Sequence, residues 1–270
     1  MKNKKIIAAI VLVVALVLGG VLLGLKMRKP AEKQVEEKPK KARITEPVNV
    51  IDVKDRPYIQ ISPLADGRYI NLIIKSLKKP ATSVEYELEY LSGSLVQLAL
   101  DEITLDELPS KAEILFGTCS TGGKCSYHTD IKGGSILTSF KGGDEKYALK
   151  SQWKYFENTS GETDFSSKDA KFQISSKALA KQRYIVIFNS AGYPEELEYI
   201  LVSDPYSLAT SADLSGKADL SIRAQEEGEL MIMGWDGKKW VEFETEIDSE
   251  DKKMAKAEVE LMELYLVVKK

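Results

Sequence analysis

Histidine is almost missing from this chain: His128 is the only one in 270 residues. That excludes every metal site built on two histidines and leaves a single candidate base for any histidine-dependent triad. Cysteine is nearly as scarce, with Cys119 and Cys125 alone. No Gly-x-Ser-x-Gly nucleophile elbow occurs, and the body has no long amphipathic helical stretch. Positive charge is short where nucleic acid would need it. Residues 1–50 hold 11 Lys and Arg against 4 Asp and Glu, whereas residues 51–270 hold 27 against 37. The formal net charge of −3 therefore hides a basic N-terminus and an acidic body, the wrong sign for a nucleic-acid-binding body.

What is present begins with residues 6–25, IIAAIVLVVALVLGGVLLGL, twenty residues without a charge. At about 1.5 Å per residue they make roughly 30 Å of helix, the thickness of a bilayer's hydrocarbon core. A cleaved signal peptide has a shorter apolar stretch and a small-residue cleavage site, and no Ala-x-Ala precedes Lys26. No cysteine follows directly, which excludes a lipid-modified anchor. The run reads as an uncleaved signal anchor in the lipid bilayer, with residues 1–5 as a cytoplasmic tail. Three lysines precede it and eight basic residues follow, from Lys26 to Arg43, a count that alone would keep the body inside. The short lysine-rich tail and the close cysteine pair favour the opposite, a single-pass protein with an extracytoplasmic body. A cytoplasm-facing scaffold stays open as the alternative.

Residues 26–48 carry Pro30, Pro39 and Pro47 among dense charge of both signs, the composition of a disordered tether. From Asn49 onward the pattern is strands. Val84, Tyr86, Leu88 and Tyr90 alternate with Glu85, Glu87 and Glu89, a period of two with one buried and one solvated face. Further strands are expected at 58–62, 69–76, 114–118, 135–140, 147–156, 171–175, 183–188, 198–202, 218–223, 230–235, 240–247, 255–261 and 264–268. Asp66-Gly67, Asp236-Gly237 and the Gly-Gly pairs at 122–123, 133–134 and 142–143 mark turns. One short helix is expected at Leu105–Leu108, stopped by Pro109. The fold class is all-β. About 220 residues exceed one sandwich of about 100, so two tandem Ig-like β-sandwich domains are expected, 49–160 and 161–270, with the polar stretch Glu157–Asp169 between them.

The most distinctive local feature is Cys119-Ser-Thr-Gly-Gly-Lys-Cys125. Two cysteines flanking a five-residue loop between strands oppose each other closely enough for a disulfide, which forms outside the cytoplasm. A zinc site on Cys119, Cys125, His128 and Asp130 has a spacing unlike the usual ligand sets, so no metal and no cofactor is expected. His128 as a general base, with Asp130 two residues on, lacks a nucleophile. Asp248, Glu250 and Asp251 sit in a turn that does not follow the EF-hand pattern. Trp235-Asp-Gly-Lys-Lys-Trp240 is a hairpin whose tryptophans either stack on sugars or pack across the hairpin. Asn158-Thr159-Ser160 fits a glycosylation sequon. Candidate partner contacts are Ser120, Lys124, His128, Trp235 and Trp240.

Two resemblances add to this. Met233-Gly-Trp-Asp-Gly-Lys-Lys-Trp-Val-Glu-Phe243, Thr245-Glu-Ile-Asp248 and the alternating 259–268 segment resemble a β-module at the C-termini of bacterial secreted and surface proteins. Met262-Glu263 departs from that module's usual pair. The apolar anchor, the Lys/Glu/Pro tether and Gly-Thr-Cys-x5-Cys-x-Tyr-His before Lys132-Gly-Gly134 resemble single-pass, membrane-anchored extracytoplasmic proteins of bacteria with reduced genomes. The resemblances imply a surface-exposed β-sandwich and no particular chemistry. The expectation is a non-catalytic binding or structural protein at the cell surface, with a protein or an envelope glycan as partner. An envelope enzyme using His128 is the competing reading.

Overall fold

The structure, a computed structural model, describes residues 43–270, which lie within one compact unit, Ala42–Lys270. The anchor at 6–25 and the tether up to residue 42 lie outside the described residues. The body is all-β. Its only helical elements among the described residues are two 3-10 turns, Val53–Asp55 and Leu179–Lys181, and no helix there is long and apolar enough to cross a membrane.

Twenty strands follow one another among the described residues. The first eleven are β1 (Tyr58–Pro63), β2 (Tyr69–Ser76), β3 (Ser83–Ser92), β4 (Leu95–Thr104), β5 (Ser110–Leu115), β6 (Gly117–Cys119), β7 (Cys125–Tyr127), β8 (Ile131–Lys141), β9 (Tyr147–Glu157), β10 (Asp164–Ser166) and β11 (Phe172–Ser175). The rest are β12 (Tyr184–Asn189), β13 (Ile200–Leu201), β14 (Tyr206–Thr210), β15 (Lys217–Arg223), β16 (Leu230–Trp235), β17 (Trp240–Glu242), β18 (Glu246–Ile247), β19 (Met254–Glu260) and β20 (Leu264–Lys269). They form a ten-stranded sheet in the order β17-β16-β20-β14-β12-β9-β8-β3-β4, with β13 also on β20. A three-stranded sheet β1-β2-β5, a five-stranded sheet β10-β11-β15-β19-β18 and the hairpin β6-β7 complete the body.

The two smaller sheets cover opposite faces of the long one, and β12 shows how. Val186 and Phe188 point into a core shared with β1, β2, β3, β8 and β9, whereas Ile185 and Ile187 point into a core shared with β11, β14, β15, β16, β19 and β20. A strand with apolar residues at every position is what burial on both faces requires. Tyr265 and Val267 of β20 face the second core, while Leu264, Leu266 and Val268 face a third cluster with Met231, Met233 and Trp235.

Several expectations change. Leu105–Leu108 is not a helix; Leu105 is buried in the first core and the chain bends directly into β5. Gly133-Gly134 is not a turn but lies inside β8, where a Cβ on Gly134 would stand 2.1 Å from the Glu89 carbonyl. The expected strand 240–247 is two strands in two different sheets. β4 and β14 were not among the expected strands. The long sheet also continues past the polar stretch 157–169, because β12 pairs with β9. That stretch is polar because its side chains bond its own turns. Asn158 Nδ2 donates to the carbonyls of Glu162 (3.0 Å) and Leu179 (3.1 Å), and its Oδ1 accepts the Glu162 amide (2.8 Å). The sequon asparagine is thus buried and its amide occupied, which leaves no acceptor nitrogen for a glycan.

Residues 43–50 lie along the long sheet. The Ile44 amide donates to Glu87 Oε1 at 2.7 Å, beside Arg43, and the Asn49 amide donates to the Ala148 carbonyl at 2.9 Å. Glu87 is therefore 6% exposed instead of solvated, while Glu85 pairs with Lys141 and Glu89 accepts from Ser135 Oγ at 3.0 Å.

Candidate functional site

The cysteine loop is the feature that sequence and structure both single out. Gly117 opens β6 where Cβ would meet the Ser126 carbonyl oxygen at 2.3 Å, so only glycine lets the two arms of the hairpin approach. Gly123, at φ +78°, makes the tight turn at the tip. The Ser120 amide donates to the Lys124 carbonyl at 2.9 Å, and Ser120 Oγ donates to the same oxygen at 3.2 Å. Cys119 and Cys125 are register partners with Cα atoms 4.0 Å apart and are joined in a disulfide. Both sulfurs are thereby removed from the zinc alternative.

The hairpin stands on a rigid aromatic base. Phe116, fully buried just before β6, lies 4.9 Å from the ring of Tyr90 and 5.4 Å from that of Tyr155, and stacks on Trp153 at 6.3 Å. The His128 amide donates to the Phe116 carbonyl, and the Phe116 amide donates to that of Arg68. The Arg68 guanidinium lies over the Tyr127 ring at 4.4 Å. Ser120, Thr121, Gly122, Gly123 and Lys124 are all exposed above this base. The result is a stiff, closed loop carrying one cation and hydroxyl donors, a shape suited to recognition.

His128 is half-buried, and its Nδ1 lies 2.9 Å from the Tyr90 hydroxyl. Burial pushes the Tyr90 phenol up from its ordinary value. Asp130 turns instead toward Lys132, 3.4 Å away. This tyrosine–histidine bond ties the hairpin to β3. Trp235 and Trp240 lie elsewhere, on β16 and β17. Trp235 is 6% exposed, the two rings meet edge to face at 5.3 Å, and Trp240 also packs on Tyr193. They pack across their hairpin, the second of the two arrangements their spacing allowed. Ser120 and Lys124 share the hairpin's tip, His128 lies at its base, and the tryptophans lie on other strands.

Asp248 is likewise occupied. Its Oδ1 accepts the amides of Glu250 and Asp251, and its Oδ2 binds Lys256, which holds the carboxyl below its ordinary range. Among the described residues no group of three His, Cys, Asp or Glu side chains is placed to hold a metal.

A second surface carries no residue that sequence reasoning singled out. The outer face of the five-stranded sheet is polar apart from Met254 at one end, with Ser175, Asp219 and Glu258 in one row and Ser166, Gln173, Ser221 and Lys256 in the next. Three adjoining shallow hollows of 420, 480 and 450 Å³ lie on it, and Asp219 lines all three. At one end Lys154, its ammonium pushed down by burial, lies over the Phe156 ring at 4.9 Å. The signal in the sequence is the Asp-x-Ser alternation within 217–223, which also reads as an ordinary solvated strand face. No protein family, no curated protein and no solved structure matches the chain.

Proposed function

We propose that this chain is a membrane-tethered, extracytoplasmic binding protein, anchored through residues 6–25 with its N-terminus in the cytoplasm. Its body comprises two β-sandwich lobes that share the long sheet, and the hairpin 117–127 is the surface it presents to a partner. The observation that carries this reading is the disulfide across an otherwise exposed five-residue loop. A bond there adds little to the core, so it acts on the loop's shape, and it persists only in an oxidising compartment. The acidic body and the basic, lysine-flanked N-terminus fit the same arrangement. Ser120 and Lys124 make the contact, and His128 with Tyr90 holds the hairpin's base. The partner is a surface protein or an envelope glycan. The enzyme reading gains no support from His128, whose Nδ1 is engaged by a tyrosine.

The test is capture from cross-linked envelope with the full chain, comparing Cys119→Ser/Cys125→Ser and Lys124→Ala with Asp219→Ala. The hairpin variants are expected to lose the captured partner and Asp219→Ala to retain it. The reverse result moves the site to the polar face of the five-stranded sheet. Full protection of the body from protease added to intact cells would overturn the orientation.

A further inference from the structure

Strand β4 breaks the rule that the rest of the body obeys. Among the described residues it is the last strand of the ten-stranded sheet and pairs with β3 alone, and four of its apolar side chains are exposed. Leu95, Val96, Leu98 and Leu100 are 65%, 68%, 44% and 42% exposed, whereas Gln97 and Ala99 face inward. Natural sheets blunt such edges with short strands, charges or proline. The other outer strands here follow that practice. β17, β10 and β18 have three, three and two residues; β5 shows Lys111 and Glu113 to solvent; β1 ends in Pro63. β4 has ten residues and no charge from Leu95 to Leu100.

We propose that β4 is a self-association surface, pairing antiparallel with β4 of a second copy so that two long sheets become one. The choice of a second copy rests on self-complementarity. Ser92 and Leu95 close the two-residue β3–β4 turn and exchange hydrogen bonds with each other. By the alternation of antiparallel pairs, the backbone groups of Val96, Leu98 and Leu100 then point to the free side. A two-fold axis at Leu98 satisfies them in pairs, setting Leu98 against Leu98 and Val96 against Leu100. Glu102 then faces the uncharged Ser94 of the second copy, so no like charges are opposed on this face. Half-buried Leu91, beside Val96 on β3, extends the apolar row on each copy, while Glu89 and Glu87 lie beside Leu98 and Leu100 on the same face. Moving the axis by two residues would set Glu102 against Leu98 or remove Leu100 from the apolar row.

The register makes the test specific. The chain's own cysteines are bonded to each other, so Leu98→Cys introduces the only free thiol into the full-length protein in its membrane. Oxidative cross-linking is expected to give a species of two chains. Glu102→Cys, whose two copies would lie roughly 27 Å apart in this register, is expected to give at least about tenfold less. A Val96→Cys/Leu100→Cys chain is expected to cross-link as well, and adding Leu98→Lys to it should cut the yield about tenfold. All these side chains are exposed, so each variant should keep the parent's melting temperature. Equal yields at 98 and 102, no dimer at 98, or a product containing a different protein would each overturn the proposal. The last outcome would assign the edge to a foreign strand, and persistence of the Leu98→Cys monomer would indicate cover from residues 1–42 of the same chain.

Discussion

At the residue scale, the polar side chains most easily mistaken for functional signals turn out to satisfy the backbone. Asn158 fits a glycosylation sequon in the sequence, yet it fills three hydrogen bonds that close the turn after β9. Truncating it strands buried backbone groups, which cost about 1–3 kcal/mol each when unpaired. Asn158→Ala is expected to lower stability by about 2–3 kcal/mol in denaturant unfolding, and mass spectrometry of the protein from a glycosylating host should find Asn158 unmodified. The same lesson applies to Trp235 and Trp240. Their spacing allowed both a sugar platform and a packed pair, because one dimension of sequence does not say which face of a hairpin is covered. Only the third cluster, with Tyr193 and Leu264 over it, decides that.

At the scale of elements, Asp169 clamps three of them. Its Oδ1 accepts from Ser167 and the Lys171 amide in the turn before β11; its Oδ2 accepts from Asn189 at the end of β12 (3.1 Å) and from Tyr206 at the start of β14 (3.0 Å). Burial pushes this carboxyl up, but the hydrogen bonds from Ser167, Lys171, Tyr206 and Asn189 together outweigh it and hold the group below its ordinary value. A carboxylate depressed on folding adds stability above its unfolded pKa, about 3.9, and loses it as pH falls through the folded value. Neighbouring Asp204 runs the other way: burial, with repulsion from Asp169, raises it, so its contribution grows as pH falls. Asp169→Asn is expected to flatten the loss of stability below about pH 4 and to lower stability at pH 7 by about 1–3 kcal/mol, read from urea midpoints at each pH. A steeper acid loss in the variant would refute the clamp.

Most strands were legible because burial on one face leaves an alternation, as in Val84–Tyr90. β4 was not, since its polarity is reversed: the apolar row faces out and Gln97 faces in. β14, Tyr206–Thr210, is too short and too mixed to stand out. The cysteine pair and its hairpin were legible because only a closed turn brings two such residues into register. The polar groove around Asp219 was invisible, because Ser, Asp and Gln on a strand face look the same whether or not the sheet hollows beneath them.

For the whole molecule, the disulfide is a local device. Loop-closure arithmetic for a ring of this size gives about 2 kcal/mol, and the hairpin's root lies in aromatic packing that does not depend on the bond. Cys119→Ser/Cys125→Ser is therefore expected to lower the melting temperature by only about 4–8 °C, with β-sheet circular dichroism unchanged; loss of the folded body would contradict this.

The shared strand β12 has a consequence for biosynthesis. Val186 and Phe188 close a core whose other members all precede them in the chain, apart from Ala191. The N-terminal lobe cannot bury its interior when its own strands have been made. It stays open until β12 arrives, and β12 in turn exposes Ile185 and Ile187 until β14 to β20 follow. Synthesis in order thus leaves a sticky intermediate for most of the chain's length, a stage at which a chaperone waiting on the emerging side would have the most to protect.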